Sequence, residues 1–240
     1  MFAFPEDGQR IPPLRLPPGL PSLWLVDAVR HGGIARRVAP EILDAGELAR
    51  AARLVVAADR DCYVAAHVAL RLLLGARLGV APAAVPLTRE ACPSCGGPHG
   101  RPVTGGGPHF SLSHTPHMAL LAFADVPVGV DVERIPKPGT VSEVAGQLHP
   151  EETRELADLP GEQRPAAFGR VWTRKEAYLK GEGIGLAGGL AAEHVGTGPL
   201  PRPGPAGWKI TDVAVPAGYA AAVAVRAAGQ PPAGDGDRRK

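Results

Sequence analysis

The chain has 240 residues, of which 45% are hydrophobic and 21% are charged, so it can bury the core of one large or two small folded units. Its 26 basic and 24 acidic residues leave a formal net charge of +2, and no chain-wide basic field indicates a nucleic-acid or membrane-surface protein. The three cysteines do not form the framework of a disulfide-rich secreted protein, and the first residues lack the pattern of a signal peptide. We therefore expect a soluble cytoplasmic protein with reduced thiols.

The first part of the chain combines a Pro-rich start with a strand and helices. Residues 1–22 contain too many prolines for a helix and are predicted to be extended, and the sequence SLWLVDAV that follows is typical of a strand. Apolar residues then recur at helical spacing between Asp44, a candidate N-cap, and Gly79, a candidate helix stop. This pattern predicts two helices with a break near Asp59.

The rest of the chain alternates loops, strands and helices. The segment REACPSCGGPHGRPVTGGGPH is too rich in Gly and Pro for regular structure, and FSLSHTPHMALLAFADVPVGVDVERI predicts two or three strands. Helices are predicted for HPEETRELADL and RPAAFGRVWTRKEAYLKG, followed by a strand pair in WKITDVAVPAGYAAAVAV and a disordered tail, 230–240. HTPHMALLAFA and VPAGYAAAVAV are similar enough to indicate a weak internal duplication.

Two carboxylates lie side by side in the sequence GVDVERI. Strand alternation sends Asp131 and Glu133 to the same face, where they repel each other unless a cation or a base lies between them. A solvated strand face is the more common explanation of a lone pair of this kind, so the motif is weak alone and needs support from elsewhere in the chain.

That support comes from the helix predicted for WTRKEAYLKG. Trp172, Glu176 and Lys180 share one face of this helix, with Lys175 beside them. A surface Glu–Lys pair accounts for the charges, but not for the Trp or for the Gly-rich loop that follows. Three carboxylates and a lysine could meet here, and oxygen ligands without nearby His or Cys favour Mg²⁺ and a phosphate-containing substrate.

A hydroxyl, an imidazole and a guanidinium stand close together before the carboxylate pair. Ser113 and His114 end one predicted strand in HFSLSHT, and Arg101 lies in the preceding GRP. These three groups together suit an anion.

The motifs FSLSH, GVDVE and WTRKEAYLK followed by G-x-G-L, in this order and spacing, resemble 4′-phosphopantetheinyl transferases of the surfactin-synthetase-activating type. The resemblance runs from Asp44 to Val225 and is strongest from Arg101 to Leu186. It implies an α+β monomer of two pseudo-symmetric halves, each a small antiparallel sheet packed with helices. The expected boundaries are 23–124 for the N-terminal half and 125–229 for the C-terminal half with the metal site.

The resemblance also implies a reaction and its catalytic groups. The phosphopantetheine arm of coenzyme A would pass to a serine of an apo acyl, polyketide or peptidyl carrier protein, releasing adenosine 3′,5′-bisphosphate. Asp131, Glu133 and Glu176 would hold Mg²⁺, with Mn²⁺ as an alternative metal. Glu176 and Lys180 would be catalytic, and the general base is left open between Glu176, Lys180 and a metal-bound water.

The coenzyme A contacts that the resemblance implies involve several further residues. Arg53 and Arg60 are candidates for the 3′-phosphate, although surface arginines are an equally good explanation. The resemblance assigns the remaining contacts to Arg101, which replaces the usual Lys, and to Ser113, His114, Lys175 and Lys180.

The sequence CPSCGGPHG does not belong to the family pattern. Cys92, Cys95 and His99 have the spacing of three zinc ligands, and Cys62, His109 or water would have to supply a fourth. A tight turn with incidental thiols is the simpler interpretation. Alternatives to the transferase are a Mg²⁺-dependent phosphoesterase or nuclease, a nucleic-acid-binding module built on this knuckle, and a scaffold that binds carrier proteins without chemistry.

Overall fold

A computed structural model of the chain describes residues 16–92, 96–97, 100–185 and 189–227. The first set of elements consists of β1 Ser22–Asp27, α1 Ala28–Ile42, α2 Ala45–Arg53, α3 Ala57–Leu78, β2 Thr88–Arg89, β3 Pro102–Val103, β4 His109–Thr115 and β5 Met118–Ala124. The second set consists of β6 Val128–Arg134, α4 Pro138–Val144, α5 Pro150–Asp158, α6 Arg164–Glu182, β7 Trp208–Asp212 and β8 Tyr219–Arg226. Short 3-10 turns at Pro82–Ala84 and Ala145–Gln147 follow α3 and α4.

Two three-stranded antiparallel sheets have the same strand order. One sheet runs β1-β5-β4 and the other runs β6-β8-β7. In each sheet, the strand that comes last in the chain lies in the centre and pairs with the other two. The short strands β2 and β3 pair separately. The predicted α+β fold with small antiparallel sheets packed with helices is confirmed. The shared strand order also accounts for the similarity noted between the two hairpin sequences.

The core lies in three layers, two between a sheet and its helices and one between the two sheets. α3 packs over the first sheet and α6 over the second. The faces turned away from the helices meet each other through Leu120, Ala122, Val130, Val132 and Val223. Every residue of β5 is buried because both faces of this strand are covered. The apolar layer between the sheets therefore lies between β5 on one side and β6 and β8 on the other.

The helix boundaries in the first set follow local chemistry. Asp44 caps α2: its side chain accepts a hydrogen bond from the backbone amide of Glu47, and the Glu47 side chain accepts one from the backbone amide of Asp44. α3 ends at Gly79, which has a left-handed φ of 70°. Both predicted signals are confirmed. The break, however, lies at residues 54–56, where Val56 is extended, and Asp59 sits in the first turn of α3.

Some elements were absent from the prediction. α1 contains two glycines and Pro40, which hide its helical pattern, yet Asp27 caps it and its buried face carries His31, Ala35 and Ala39. β1 consequently ends at Asp27, two residues earlier than predicted. The β2–β3 pair lies in the predicted loop, and α4 was not predicted either.

The prediction for residues 1–22 falls mostly outside the described residues, and the prediction for the tail 230–240 falls entirely outside them. Within the described ranges, no helix combines the length and the apolar character that crossing a bilayer requires.

Candidate active site

Three side chains from three elements form one hydrogen-bonded cluster. Lys180 Nζ on α6 lies 2.6 Å from Asp131 Oδ1 on β6. Ser113 Oγ on β4 donates to the same oxygen over 2.7 Å and accepts from Lys180 Nζ over 3.0 Å. Asp131 is only 1% exposed, whereas the side chain of Lys180 is 31% exposed. The cluster therefore has a buried anionic floor and an accessible cationic rim.

Small residues bring these elements close together. Ser111 Oγ on β4 accepts from the amide of Val130 on β6 over 3.1 Å, which fastens the edges of the two sheets to each other. A Cβ at Gly129 would overlap the carbonyl oxygen of Ala177 and the amide of Gly181, so only glycine lets α6 lie this close to β6. The side chains on the facing surfaces of strand and helix consequently converge.

Glu133 and Glu176 extend the negative charge around Asp131. Burial and the neighbouring Asp131 raise the pKa of Glu133 to about 7. Burial also raises the pKa of Glu176, an effect that Lys180 opposes and Asp131 reinforces. A cation bound between neighbouring carboxyl groups favours their ionised forms and removes the repulsion between them. The predicted repulsion between Asp131 and Glu133 is thus a feature of the structure.

The second carboxylate oxygen of Asp131 is a candidate ligand for a cation. Asp131 Oδ2 is buried, and among the described residues it has no hydrogen-bond partner. With the side chains as they lie, no group of three or more His, Cys, Asp or Glu within the described ranges stands close enough to hold a metal ion. Mg²⁺ commonly takes one or two protein carboxylates and completes its shell with waters and substrate phosphates. Asp131 Oδ2 fits one such ligand position.

A cavity of about 670 Å³ opens on the other side of β4. His114 lines it, next in sequence to Ser113, so the cavity and the cluster share one strand. Burial lowers the pKa of His114, and the neighbouring His67, Lys180 and Arg50 lower it further. Cations and rings in the wall come from α2, α3 and β2, and they are Arg50, Tyr63, His67 and Arg89. The cavity therefore offers positive charge beside an aromatic surface.

The two acidic residues of the cavity wall are already paired. Arg71, only 2% exposed, binds Asp44 and Glu47 over 2.6 Å each. His67 Nδ1 lies 2.9 Å from the other oxygen of Glu47. Because these carboxylates are engaged, Arg50 and Arg89 dominate the charge that a ligand would meet.

The arginines predicted for the 3′-phosphate do not line this cavity. Arg53 is exposed at the last turn of α2, and Arg60 Nη1 donates to the carbonyl oxygen of Leu54 over 3.2 Å. Sequence reasoning missed Arg50, which lies one helical turn before Arg53, and Arg89 on β2. No motif marks either residue, and only the packing of α2 against α3 and β2 reveals them.

Arg101 joins the two sets of elements. Its Nε and Nη2 bind the carboxylate of Glu90 over 2.6 and 3.2 Å, and its Nη1 donates to the carbonyl oxygen of Gly181 over 3.0 Å. Arg101 thus holds the end of α6 against the β2–β3 pair. Its predicted contact with coenzyme A remains a prediction.

Lys175 does not lie with the cluster. Its side chain is 3% exposed, and its Nζ lies 2.7 Å from Glu152 Oε2, on the side of α6 turned away from β6. Successive residues of a helix point about 100° apart, so Lys175 cannot share the face of Glu176. The ammonium group of Lys175 is held in a buried ion pair, and its predicted contact with coenzyme A remains a prediction.

The zinc hypothesis lies partly outside the described residues. Cys95 and His99 are not among them. Cys62, one of the suggested fourth ligands, is buried on α3, where its Sγ donates to the carbonyl oxygen of Thr115 over 3.2 Å. Burial raises the pKa of this thiol to about 12, so it is protonated at neutral pH. Cys62 is therefore a core residue, and the zinc site stays a prediction.

Residues 127–223 match the model of the 4′-phosphopantetheinyl transferase superfamily. The matched segment contains Asp131, Glu133, Glu176 and Lys180. Over this segment, which is less than half of the chain, the protein is similar to that superfamily.

Relatives within this family cover different parts of the chain. The 4′-phosphopantetheinyl transferase HetI of Nostoc sp. is 36% identical over 152 residues, which span 60% of this chain and 61% of HetI. The 4′-phosphopantetheinyl transferase psf-1 of Bacillus pumilus is 35% identical over 96 residues, spanning 39% of this chain and 41% of the relative. Sfp of Bacillus subtilis, also a 4′-phosphopantetheinyl transferase, is 29% identical over 79 residues, spanning 33% and 35%. The alignments thus cover less than two thirds of each of these relatives.

Proposed function

We propose that this protein transfers the 4′-phosphopantetheine arm of coenzyme A to a serine of an apo carrier protein, as a transferase of the surfactin-synthetase-activating type. The observation that carries the proposal is the cluster of Asp131, Ser113 and Lys180 with Glu133 and Glu176 beside it. The match to the superfamily model over residues 127–223 supports it. The proposal includes a monomer that works in the cytoplasm, where coenzyme A and carrier proteins are available.

The proposed reaction is a phosphoryl transfer. The hydroxyl oxygen of the carrier serine forms a bond to the phosphorus that bears pantetheine, and the bond from this phosphorus to the bridging oxygen of the pyrophosphate breaks. The serine proton leaves to a base, and adenosine 3′,5′-bisphosphate departs with the bridging oxygen. Catalysis of this kind depends on positioning and on stabilising the negative charge of the phosphates.

The cavity and the cluster can divide coenzyme A between them. The 3′-phosphate and the adenosine fit the cavity of Arg50, Arg89 and His67, since cations and aromatic rings suit a phosphate and a base. His114 lines this cavity and Ser113 belongs to the cluster, so the pyrophosphate would cross the end of β4. Lys180 then faces the pyrophosphate at the rim.

Asp131, Glu133 and Glu176 are proposed to hold Mg²⁺ or Mn²⁺. The unpartnered Asp131 Oδ2 and the raised pKa values of Glu133 and Glu176 fit a cation at this place. A bound divalent ion supplies positive charge that neutralises the phosphate oxygens in the transition state.

Lys180 and Glu176 provide the charge and the proton transfer in this proposal. The ammonium group of Lys180 is fixed by Asp131 and Ser113 and is partly exposed, so it can bind a phosphate oxygen without losing its own orientation. Glu176 lies one helical turn before Lys180, so its carboxylate is a candidate acceptor for the serine proton. Glu176, Lys180 and a water remain the candidate bases.

The experiment is intact-mass spectrometry of apo carrier proteins incubated with this protein, coenzyme A and Mg²⁺, with EDTA in a parallel sample. Acyl, polyketide and peptidyl carriers are each tested, together with a carrier whose acceptor serine is replaced by alanine. We expect a Mg²⁺-dependent phosphopantetheine adduct on the serine-containing carriers. Cleavage of coenzyme A with no adduct on any carrier would instead support a phosphoesterase, and intact coenzyme A would support a binding module.

A further inference from the structure

A buried ion pair lies behind the face of α6 that carries the cluster. Lys175 Nζ is 2.7 Å from Glu152 Oε2, and the two side chains are 3% and 0% exposed. The Lys175 ammonium group also donates to the carbonyl oxygen of Glu193. Burying two charges carries a large desolvation cost, so an ion pair adds little stability compared with apolar side chains of similar size. The pair is therefore better suited to fixing the orientation of α6 relative to α5 than to stabilising the fold.

Glu152 is held in place by three backbone amides in addition to Lys175. Its Oε1 accepts from the amides of Val195 and Gly196 over 2.8 and 3.2 Å, and its Oε2 accepts from the amide of His149 over 3.2 Å. The carboxylate is thus fixed to the start of α5 and to the chain segment that precedes β7. Lys175 ties α6 to this carboxylate, and the neighbouring Arg174 ties α6 to the same chain segment through the carbonyl oxygens of Gly196 and Gly198 over 2.6 and 3.0 Å.

The pair lies on a different side of α6 from Glu176 and Lys180. Glu176 follows Lys175 directly, and Lys180 follows it by five residues, so both point well away from Lys175 around the helix. On the opposite side, the glycine contact between Gly129 and Gly181 sets the distance between α6 and β6, and the Lys180–Asp131 ion pair joins the two elements through side chains. An anchor on the far side of α6 limits how far the helix can turn about its axis, and so limits the directions of Glu176 and Lys180.

We infer that Glu152 and Lys175 are positioning residues, which aim Glu176 and Lys180 at the phosphates of coenzyme A by fixing the rotation of α6. The inference rests on the proposed function and adds to it two residues that touch neither substrate nor metal. Residues that orient a metal ligand or a catalytic group from behind typically change affinity or activity by roughly tenfold to a hundredfold when they are replaced.

The test compares Lys175→Met, Glu152→Gln and the double variant Glu152→Gln/Lys175→Met with the wild-type protein. Three quantities are measured: kcat and KM for coenzyme A, the affinity for Mn²⁺ by electron paramagnetic resonance, and the free energy of unfolding in urea. Leu156→Ala serves as the matched control, because Leu156 lies in the core on α5, one turn after Glu152, and forms no part of the pair. All assays are run at a temperature where every variant is folded by circular dichroism.

Lys175→Met leaves the charge of Glu152 buried without its partner, so it should be the least stable of the three. The double variant should regain stability, because neither charge is then unpaired. Its kcat and Mn²⁺ affinity should nevertheless stay roughly tenfold to a hundredfold below the wild type, because the directional tie is missing. Leu156→Ala should lose stability and keep its kcat and Mn²⁺ affinity.

A double variant that recovers kcat and Mn²⁺ affinity together with its stability would overturn the inference, since the pair would then be merely structural. A loss of kcat in Leu156→Ala equal to that in Lys175→Met would overturn it as well. A wild-type protein that transfers nothing to any carrier contradicts the proposed function instead. The Mn²⁺ affinities of the variants would still test the positioning of α6 in that case.

Discussion

Lys180 and Asp131 are 49 residues apart in the chain, yet their Nζ and Oδ1 atoms lie 2.6 Å apart where α6 crosses β6. Ser113 Oγ closes the triangle from a third element. The contact depends on the close approach of a helix and a strand that carry glycine at the point where they touch. Changes in the charges of the cluster and changes in this approach should therefore affect the reaction in separable ways.

Replacing Asp131 with Asn tests the charge at the floor of the cluster. The amide keeps the shape of the side chain but removes the negative charge, so we expect turnover to fall on the order of a hundredfold to a thousandfold with the fold retained. The measurement is the rate of carrier modification at saturating coenzyme A and Mg²⁺. Asp158→Asn, at an exposed aspartate on α5, is the control. Near-normal turnover of Asp131→Asn would remove Asp131 from the metal site.

Replacing Lys180 with Met removes the cationic rim and keeps the length of the side chain. The pyrophosphate then loses its partner and Asp131 its ion pair, so kcat should fall about a hundredfold or more. Steady-state kinetics with coenzyme A as the varied substrate measures this. Lys209→Met on β7 changes an exposed lysine outside the cluster and should have wild-type kinetics. Equal kcat values for the two variants would contradict the role of Lys180.

Arg50 and Arg89 are expected to bind the 3′-phosphate in the cavity. Loss of a charge-assisted hydrogen bond should raise KM for coenzyme A about tenfold in Arg50→Ala or Arg89→Ala, with kcat little changed. Dephospho-coenzyme A, which lacks this phosphate, should show no such difference between variants and wild type. Arg53→Ala is the control, because Arg53 is exposed and outside the cavity. A larger effect at Arg53 would return the 3′-phosphate to the position predicted from sequence.

Gly129→Ala tests the close approach of α6 and β6. The added methyl group overlaps backbone atoms of α6, so we expect a loss of about 1–3 kcal/mol in the free energy of unfolding and a lower kcat as the helix shifts. Gly139→Ala in α4 provides the comparison, because nothing lies within 4 Å of its added Cβ. That change should leave activity intact and be neutral or stabilising by up to about 1 kcal/mol. Urea unfolding and carrier-modification assays measure both effects.

The pH dependence of the free energy of unfolding should reveal the contribution of the ionised Glu47 side chain. Burial alone would raise its pKa, but hydrogen bonds from His67 and from the Asp44 backbone, together with Arg71, outweigh burial and lower it. A carboxyl whose pKa is lower in the folded state stabilises the fold above its unfolded pKa of about 4.3, and this contribution is lost as the pH falls through the folded value.

Urea unfolding of the wild type and of Glu47→Gln from pH 7 downward measures this contribution. The two proteins should differ most near neutral pH and converge in acid. A difference that stays constant below pH 4 would show that the ionisation of Glu47 does not contribute.

The sequence predicted the strands and helices that carry strong local signals. The cap at Asp44, the stop at Gly79 and the alternation that places Asp131 and Glu133 on one face are short-range patterns, and the structure has them. α1 was not predicted because its two glycines and Pro40 weaken the helical pattern of the sequence. Its buried face packs against α3. Tertiary contacts decided that segment, where local propensity was weak.

The site was predictable as a set of residue types, and less so as an arrangement. Glu176 and Lys180 share the predicted helical face, and Lys180 does meet Asp131. Lys175 was placed beside them on the predicted helix, but its ammonium group lies in an ion pair with Glu152, which is distant in the chain. Arg50 and Arg89 form the cavity wall through the packing of separate elements, and no short motif reports such an arrangement.

The three residues of the cluster come from both sides of the connection between β5 and β6. Ser113 precedes the connection between β5 and β6, whereas Asp131 and Lys180 follow it. A polypeptide severed in this connection would yield two pieces, neither of which carries the complete trio. The apolar layer between the sheets could bring such pieces back together. Enzymatic turnover would then report the reassociation of the fragments.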